Sequence, residues 1–144
     1  MRIGDVLKAK PSHDVVTIGP DAGVRELIAL LAEHNVGALI VSADGGDTVD
    51  GIVSERDVVR HLHHDGTVVN NTVAAIMTAN VETCDEDTAL DEIMKVMTER
   101  RVRHVPVVRD GRLVGIVSIG DVVKHRMDQL QFERDQLDNY VHHS

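Results

Sequence analysis

The sequence predicts an α+β fold in which two pseudo-symmetric β-α-β-β-α repeats pack sheet to sheet, followed by a C-terminal helical extension. The chain of 144 residues contains two nearly identical stretches, GIVSERDVVRHL from Gly51 and GIVSIGDVVKHR from Gly115. The residues before each stretch repeat the same succession of helical and β-branched patterns. A repeat of roughly 45 residues is too small to bury both faces of its own sheet, so two copies are expected to pack together.

The first long element of each repeat is predicted to be an amphipathic helix. Aligning Thr17 with Thr83 brings the two repeats into register. Apolar residues then recur in both copies at i, i+3, i+4 and i+7, the spacing of a helix with one buried face. These residues are Val24, Leu27, Ile28 and Leu31 in the first copy and Leu90, Ile93, Met94 and Met97 in the second.

Two strands joined by a hairpin are predicted after each of these helices. The segments GALIVSADG and RHVPVVRDG are β-branched runs that end in Asp-Gly, which is typical of a strand entering a tight turn. The second strands are predicted over 49–53 and 113–117. The first hairpin is two residues longer than the second, a difference that a surface loop tolerates.

Each second strand leads through a serine into the last helix of its repeat. Ser54 with Asp57, and Ser118 with Asp121, have the Ser-x-x-Asp spacing of a capping box, which satisfies free amides at a helix start. The same junction can hold a ligand, because outward-pointing amides bind anions and the aspartate can accept two ribose hydroxyls. The spacing by itself leaves both interpretations open.

After Val123 the pattern becomes that of one long helix with a heptad seam. Two interpretations remain open: an amphipathic helix lying on the protein's own body, or a zipper between two copies. With fewer than three heptads, such a zipper could not hold a dimer unaided. The seam residues are Val123, Met127, Leu130, Arg134, Leu137 and Val141.

These patterns divide the chain into three parts. The first repeat with its N-terminal segment is predicted over 1–66, the connector and second repeat over 67–126, and the C-terminal amphipathic helix over 127–144. Asp-Gly and Asn-Asn turn signals in the connector separate the two repeats.

Composition and motifs exclude several classes of function. Aromatic residues make up 1% of the chain and the net charge is −9, which disfavours binding to nucleic acid polymers. A single cysteine, with no predicted signal peptide or membrane span, indicates a cytoplasmic protein. Signatures of common enzymes are absent, and in GIVSIGD an aspartate stands where a phosphate loop needs lysine. The sequence therefore indicates a binding protein without catalytic residues.

Metal binding and redox sensing are weaker hypotheses. His61 and His64 lie one turn apart with His63 between them, but no further ligand is near in sequence, so a solvated helix end is favoured. The loop DGGDTVDG lacks the spacing of a calcium site and is predicted to be a hairpin turn. Cys84 could sense oxidation or simply pack in the core, and packing is favoured. No metal site is predicted.

The order of these motifs, from about Thr17 to His125, resembles a pair of cystathionine β-synthase (CBS) domains, as in a stand-alone Bateman-type module. The segment RRVRHVPVVRDGRLVGIVSIGDVV is close to that family's pattern. The resemblance implies two clefts between the repeats, each able to bind an adenosyl nucleotide such as AMP, ADP, ATP or S-adenosylmethionine. It implies a ligand but no required cofactor, and a homodimer.

The resemblance also implies roles for particular residues of one cleft. Its aspartate would bind the ribose and its serine would lie near phosphate, while residues of the other repeat would contact base or ribose. Basic residues at the entrance to the first hairpin strand of the same repeat would meet phosphate. Asp121 matches the aspartate and Ser118 the serine. Thr17 and Ala22 match the residues of the other repeat, and Arg103 and His104 match the basic residues.

The second implied cleft lacks the basic pair, because Gly37 and Ala38 occupy those positions. Arg56 could contact phosphate from the junction itself or be a solvated charge. We therefore expect a regulatory module with two similar clefts of different ligand preference. A ligand-independent scaffold protein and a metal-binding stress protein are the alternatives. The remaining residues of this cleft are Ser54, Asp57, Thr83 and Thr88.

Overall fold

A computed structural model describes residues 1–11 and 15–143, apart from the side chain of His143. It has the predicted α+β architecture, with helices surrounding two small sheets. The elements in chain order are α1 (Ile3–Ala9), β1 (Thr17–Ile18), α2 (Val24–His34), β2 (Ala38–Val41), β3 (Gly51–Ser54), α3 (Glu55–His64), a 3-10 turn (Val68–Asn70), α4 (Val73–Ile76), α5 (Leu90–Arg100), β4 (His104–Arg109), β5 (Arg112–Ser118) and α6 (Ile119–His143).

The sheet of the first repeat has the strand order β1-β2-β3. β1 runs parallel to β2, and β2 runs antiparallel to β3 with Ala38 opposite Ser54. Every residue of β2 is buried, which accounts for its uninterrupted apolar sequence ALIV. The pairing of Ala38 with Ser54 places the end of β3 beside the start of β2.

The second repeat repeats this arrangement with a shorter first strand. β4 and β5 pair antiparallel, and Cys84 forms an isolated parallel bridge with Val107 where the first repeat has β1. The hairpin turns at Asp110 and Gly111, whose φ angles of 52° and 79° match the two positive φ values of a type I′ turn. The predicted Asp-Gly turn is therefore present.

Each of the two hydrophobic cores includes a short helix from outside its own repeat. Ile3 and Val6 of α1 are fully buried in the core of the second repeat, beside Cys84 and Leu90. The Ile3 N–H donates to the carbonyl of Thr88 at 2.9 Å. The N-terminal segment, which the sequence grouped with the first repeat, therefore packs on the second.

The connector makes the reciprocal exchange. Val73 and Ile76 of α4 are buried in the core of the first repeat. The Val73 N–H donates to the carbonyl of Ala22 at 2.8 Å, and the Ala74 N–H donates to Pro20 at 2.9 Å. The predicted division at residue 66 thus follows the order of the chain, whereas the packing of both cores crosses it.

The predicted helical stripes lie largely on the buried faces of α2 and α5. Val24, Leu27 and Leu31 are buried in α2, as are their counterparts in α5. Ile28 differs from them, since 40% of its surface is exposed. The stripe spacing therefore predicted the helix correctly but included one residue that faces away from the core.

α6 is one uninterrupted helix of 25 residues, so no break separates the second repeat from the C-terminal extension. Met127, Leu130 and Leu137 of the heptad seam are 64%, 49% and 65% exposed. The described body of the chain therefore does not cover these seam residues. This is against the interpretation of the seam as the face of a helix that lies on that body. Within the described residues, no helix combines the length and apolar character needed to cross a bilayer.

The exchange of α1 predicts that its buried face contributes to global stability. Ile3→Ala should lower the free energy of unfolding by about 2–5 kcal/mol, because it removes a fully buried side chain. Lys8→Ala, on the exposed face of the same helix, should change it by less than about 0.5 kcal/mol. Urea unfolding followed by circular dichroism measures both values. An equal loss for the two variants would contradict the packing of α1.

Candidate functional site

Both strand-to-helix junctions form capping boxes. The Asp57 N–H donates to Ser54 Oγ at 3.3 Å, and the Ser54 N–H donates to Asp57 Oδ2 at 2.8 Å. The second junction matches it, with the Asp121 N–H donating to Ser118 Oγ at 3.1 Å and the Ser118 N–H donating to Asp121 Oδ2 at 2.9 Å. The capping interpretation is therefore correct at both places, and the aspartates are held beside the helix starts.

The hairpin register brings each junction next to the chain segment that enters the preceding strand. Ser118 lies opposite His104, as Ser54 lies opposite Ala38. The first amide of each helix then donates to the carbonyl just before that strand: Ile119 to Arg103 at 2.8 Å, and Glu55 to Gly37 at 3.0 Å. Each serine junction therefore lies directly beside the turn that enters the first strand of its hairpin, β2 or β4.

A cavity of about 280 Å³ lies at the second junction and is bounded by both repeats. This volume is close to the lower end of the range for small-molecule sites. The turn between α2 and β2 supplies one side, and strands β4 and β5 with the start of α6 supply the other. The lining residues are Lys10, Asn35, Val36, Gly37, Ala38, His104, Ile116, Ser118 and Asp121.

Lys10 at the end of α1 reaches into this cavity. Its Nζ atom lies 3.0 Å from Asp121 Oδ2 and donates to the Ile116 carbonyl at 2.9 Å. The side chains of Lys10 and Asp121 are 26% and 25% exposed. Lys10 is not recognisable as a site residue from the sequence, because its position depends on the packing of α1 against the second repeat, which no local pattern indicates.

Asp121 is held ionised by its surroundings. Partial burial raises the pKa of this carboxyl, but the Ser118 N–H and the Lys10 ammonium more than offset burial, so its pKa lies below the usual range. Asp121 is therefore charged at neutral pH and can accept hydrogen bonds from a ligand.

His104 is kept in its neutral form. Burial lowers the pKa of His104, and the attraction of Asp121 only partly compensates. Its ring faces the first repeat, since a Cβ atom placed on Gly37 would lie 3.8 Å from His104 Cε1. A neutral imidazole has one donor and one acceptor to offer in the cavity.

Three residues assigned to this cleft by resemblance lie outside its lining. Thr17 contacts the hairpin of its own repeat, where a Cβ atom on Gly46 would lie 3.6 Å from its Cγ2. Ala22 packs at the edge of the first core. Arg103 is exposed at the entrance to β4, and only its backbone carbonyl bonds to the junction.

The first junction lacks a counterpart to the Lys10 contact among the described residues. Asp57 Oδ2 accepts instead from Ser54 Oγ at 3.1 Å, in addition to the Ser54 N–H. Arg56 is exposed. The candidate partners from the second repeat are also separate from it in the described contacts, because Thr83 is exposed and Thr88 bonds with Asp85.

The histidines of α3 and Cys84 are the remaining candidates for metal binding or redox sensing. His61 Nδ1 lies 2.9 Å from the Asp57 carbonyl, while His63 and His64 are exposed at the end of α3. No cluster of three or more His, Cys, Asp or Glu side chains suited to a metal occurs among the described residues. Burial raises the pKa of the Cys84 thiol to about 12, so this buried thiol stays protonated and packs as an apolar group.

Comparisons with known proteins identify relatives of this chain. The family model described as the CBS domain matches residues 3–64 and 73–128. A mitochondrial CBS domain-containing protein of Arabidopsis thaliana, CBSX3, is 34% identical over 146 aligned residues, which span 96% of this chain and 71% of that protein.

Solved structures show the same fold. The CBS-domain containing protein ATU1752 from Agrobacterium tumefaciens is 42% identical with a TM-score of 0.83, covering 88% of this chain and 99% of that one. The CBS domain pair of protein MJ0100, in complex with 5′-methylthioadenosine and S-adenosyl-L-methionine, is 27% identical with a TM-score of 0.77. That match covers 90% of this chain and 98% of the MJ0100 chain.

Neutral His104 predicts a loss of stability on acidification. Between its lowered pKa and the ordinary value of 6.5, the unfolded chain binds a proton that the folded protein excludes, so folding weakens as pH falls through this range. His104→Gln should therefore lose less melting temperature than the parent between about pH 7.5 and about pH 5.5. Melting curves by circular dichroism measure the difference. His63→Gln, an exposed control, should behave like the parent, and an identical loss for His104→Gln would contradict the expectation.

Proposed function

The chain belongs to the CBS domain family, and on that premise we propose that it is a regulatory module that binds an adenosyl nucleotide between its repeats. Binding would act through conformation or oligomerisation, which requires different affinities for two states of the protein. The protein would be a sensor without catalytic activity. The ligand class is carried over from the resemblance and from the complex of MJ0100 with two adenosyl compounds.

The observation that carries this proposal is the ionised Asp121 in a cavity between the two repeats. A carboxylate accepts hydrogen bonds only, so it suits the paired hydroxyls of a ribose. The Ile119 and Asp121 amides are bonded within the junction. The Gly120 N–H and Ser118 beside the carboxylate therefore suit an anion, because the start of a helix carries partial positive charge. One junction can thus hold both the sugar and the phosphate of a nucleotide.

We assign the main contacts of this cleft to Asp121, Ser118 and His104. Thr17, Ala22 and Arg103 stay proposed contacts for those parts of a ligand that extend beyond the cavity lining. The neutral imidazole of His104 can donate one hydrogen bond to a phosphate or a base. The exposed Arg103 can add charge at the entrance at little cost of desolvation.

The junction at Asp57 is proposed as a second cleft with a different ligand preference. Ser54 and Asp57 have the same capping geometry, but the described contacts place no ammonium on the carboxylate. Arg56 would supply the positive charge, and Thr83 and Thr88 would approach from the second repeat. Because the charges differ, we expect the two clefts to rank the same nucleotides differently.

We also propose that the protein is a cytoplasmic homodimer. Large apolar side chains are exposed on neighbouring helices, with Ile28 on α2 and Val59 and Leu62 on α3. Isolated exposed apolar residues are common, but several on adjoining helices favour an interface. The α6 seam would supply a further contact, since Leu130 and Leu137 are exposed on it.

Ligand binding predicts a rise in melting temperature with at least one compound among AMP, ADP, ATP, NAD and S-adenosylmethionine. A ligand at about 100 times its dissociation constant should stabilise the folded protein by roughly 2.7 kcal/mol. Asp121→Ala should abolish most of the shift that comes from its cleft. Each shift is measured against the same variant without ligand, because the change also removes the carboxylate that accepts the Ser118 N–H in the capping box.

Two controls separate the clefts. Asp57→Ala should remove only the contribution of the other junction, and Asp128→Ala, an exposed aspartate of α6, should leave the shift unchanged. If no compound shifts the melt of the parent, and Asp121→Ala behaves like the parent with every compound, the protein is a scaffold that does not bind these ligands.

The proposed seam predicts that Leu137→Glu weakens self-association. A charge placed in an apolar contact should raise the dissociation constant of the dimer by at least about tenfold. Sedimentation velocity over a concentration series measures this constant. Gln136→Glu adds the same charge one position away, outside the seam, and should change it little. A parent that sediments as a monomer throughout, or equal effects of the two variants, would contradict the seam.

A further inference from the structure

We propose that Lys10 is a charge-selective gate of the Asp121 cleft. Its ammonium is bonded to the carboxylate that a ligand would use, and a ligand displaces it efficiently when it brings an anionic group for the ammonium. This inference rests on the proposed binding of an adenosyl compound, and it specifies the charge of that compound. It selects a 5′-phosphorylated nucleoside over a neutral thioether or a cationic sulfonium.

The contacts of Asp121 place Lys10 in competition with a ligand. Both described hydrogen bonds that Asp121 accepts, from Lys10 Nζ at 3.0 Å and from the Ser118 N–H at 2.9 Å, end on Oδ2. A ribose diol that uses both carboxylate oxygens must share or replace the bond from Lys10. Lys10 is also bonded to the Ile116 carbonyl, so its amine is held in place by two acceptors.

The position of Lys10 makes its displacement costly. Its side chain is only 26% exposed, so moving the ammonium away from Asp121 leaves a partly desolvated charge without its partner. The hydroxyls of a ligand can satisfy Asp121 in exchange, but they do nothing for the ammonium. A phosphate group in the cavity gives the amine a new charge-assisted hydrogen bond, which offsets the bond that it loses to Asp121.

The charges of the cavity lining support the same selection. Among the described lining residues, Lys10 is the lysine and Asp121 is the acidic side chain, while burial lowers the pKa of His104 and favours its neutral form. These two charges offset each other in the lining. A bound sulfonium would place a second cation next to Lys10, whereas removing the Lys10 charge would leave a net negative cavity that attracts a cation.

The first junction shows that a capping box does not by itself require such a lysine. There, Ser54 supplies both of the described hydrogen bonds to Asp57 Oδ2, from its N–H at 2.8 Å and its hydroxyl at 3.1 Å. The Lys10 contact is therefore an addition specific to the second junction. We expect the Asp57 junction to lack this selection by charge.

Isothermal titration calorimetry with AMP, 5′-methylthioadenosine and S-adenosylmethionine tests the gate. The parent and Lys10→Met are compared in an Asp57→Asn background, which keeps an oxygen that can accept the Ser54 N–H but weakens the other cleft. Lys10→Met should change AMP binding by less than about threefold, because the variant loses the bond to phosphate together with the Asp121 bond that AMP has to displace. The same change should tighten S-adenosylmethionine binding several-fold and change 5′-methylthioadenosine in the same direction by less.

Two further variants keep the result interpretable. Lys10→Gln is a second neutral substitution, to be used if Lys10→Met lowers the melting temperature strongly. Lys8→Met removes an exposed lysine from the same helix and should leave all three affinities as in the parent. The gate is supported if Lys10→Met or Lys10→Gln shifts the binding preference from AMP towards S-adenosylmethionine and Lys8→Met does not.

The other outcomes overturn it in distinguishable ways. If the ligands bind but neutral residues at Lys10 change AMP and S-adenosylmethionine equally, or change neither, the gate is wrong and the proposed function stands. If none of the three compounds binds to the parent or to either neutral variant, the proposed adenosyl site fails together with the gate.

Discussion

The structure depends on the exchange of two short helices between two half-sized cores. Neither repeat closes its own core, because α1 supplies Ile3 and Val6 to the second and α4 supplies Val73 and Ile76 to the first. The hydrophobic effect favours this exchange, since it buries apolar surface that each repeat would otherwise expose. The exchange also has a chemical consequence, because the end of α1 carries Lys10 to the second junction.

The two junctions show how one local motif acquires different surroundings. In both, a serine at the end of a strand caps a helix and orients an aspartate. Capping is compatible with the proposed ligand binding, because a helix with a well-formed start holds its carboxylate in a fixed position. The difference lies in what approaches from elsewhere. Lys10 and His104 lie at the second junction, whereas the described hydrogen bonds to the Asp57 carboxylate come from Ser54 of the junction itself.

Much of the fold was predictable because its signals are local. The apolar stripes predicted α2 and α5, and the Asp-Gly pair predicted the turn at Asp110. The Ser-x-x-Asp spacing predicted both capping boxes. Errors arose where the outcome depends on neighbours that are distant in sequence. Ile28 fits the helical stripe yet is 40% exposed, since periodicity identifies a helix face without showing how far the core extends around it.

The sequence by itself determined the tandem repeat, the two junctions and the family, because each is written in consecutive residues whose conformations follow from local hydrogen bonding and hydrophobic period. Only the tertiary structure decided which of these residues share a site. It places Lys10 on Asp121 across 111 positions of sequence and leaves Thr17 and Ala22 outside the cavity lining. The physical reason is that long-range contacts follow from how the two cores bury their apolar surface, which the spacing of residues along one repeat does not specify.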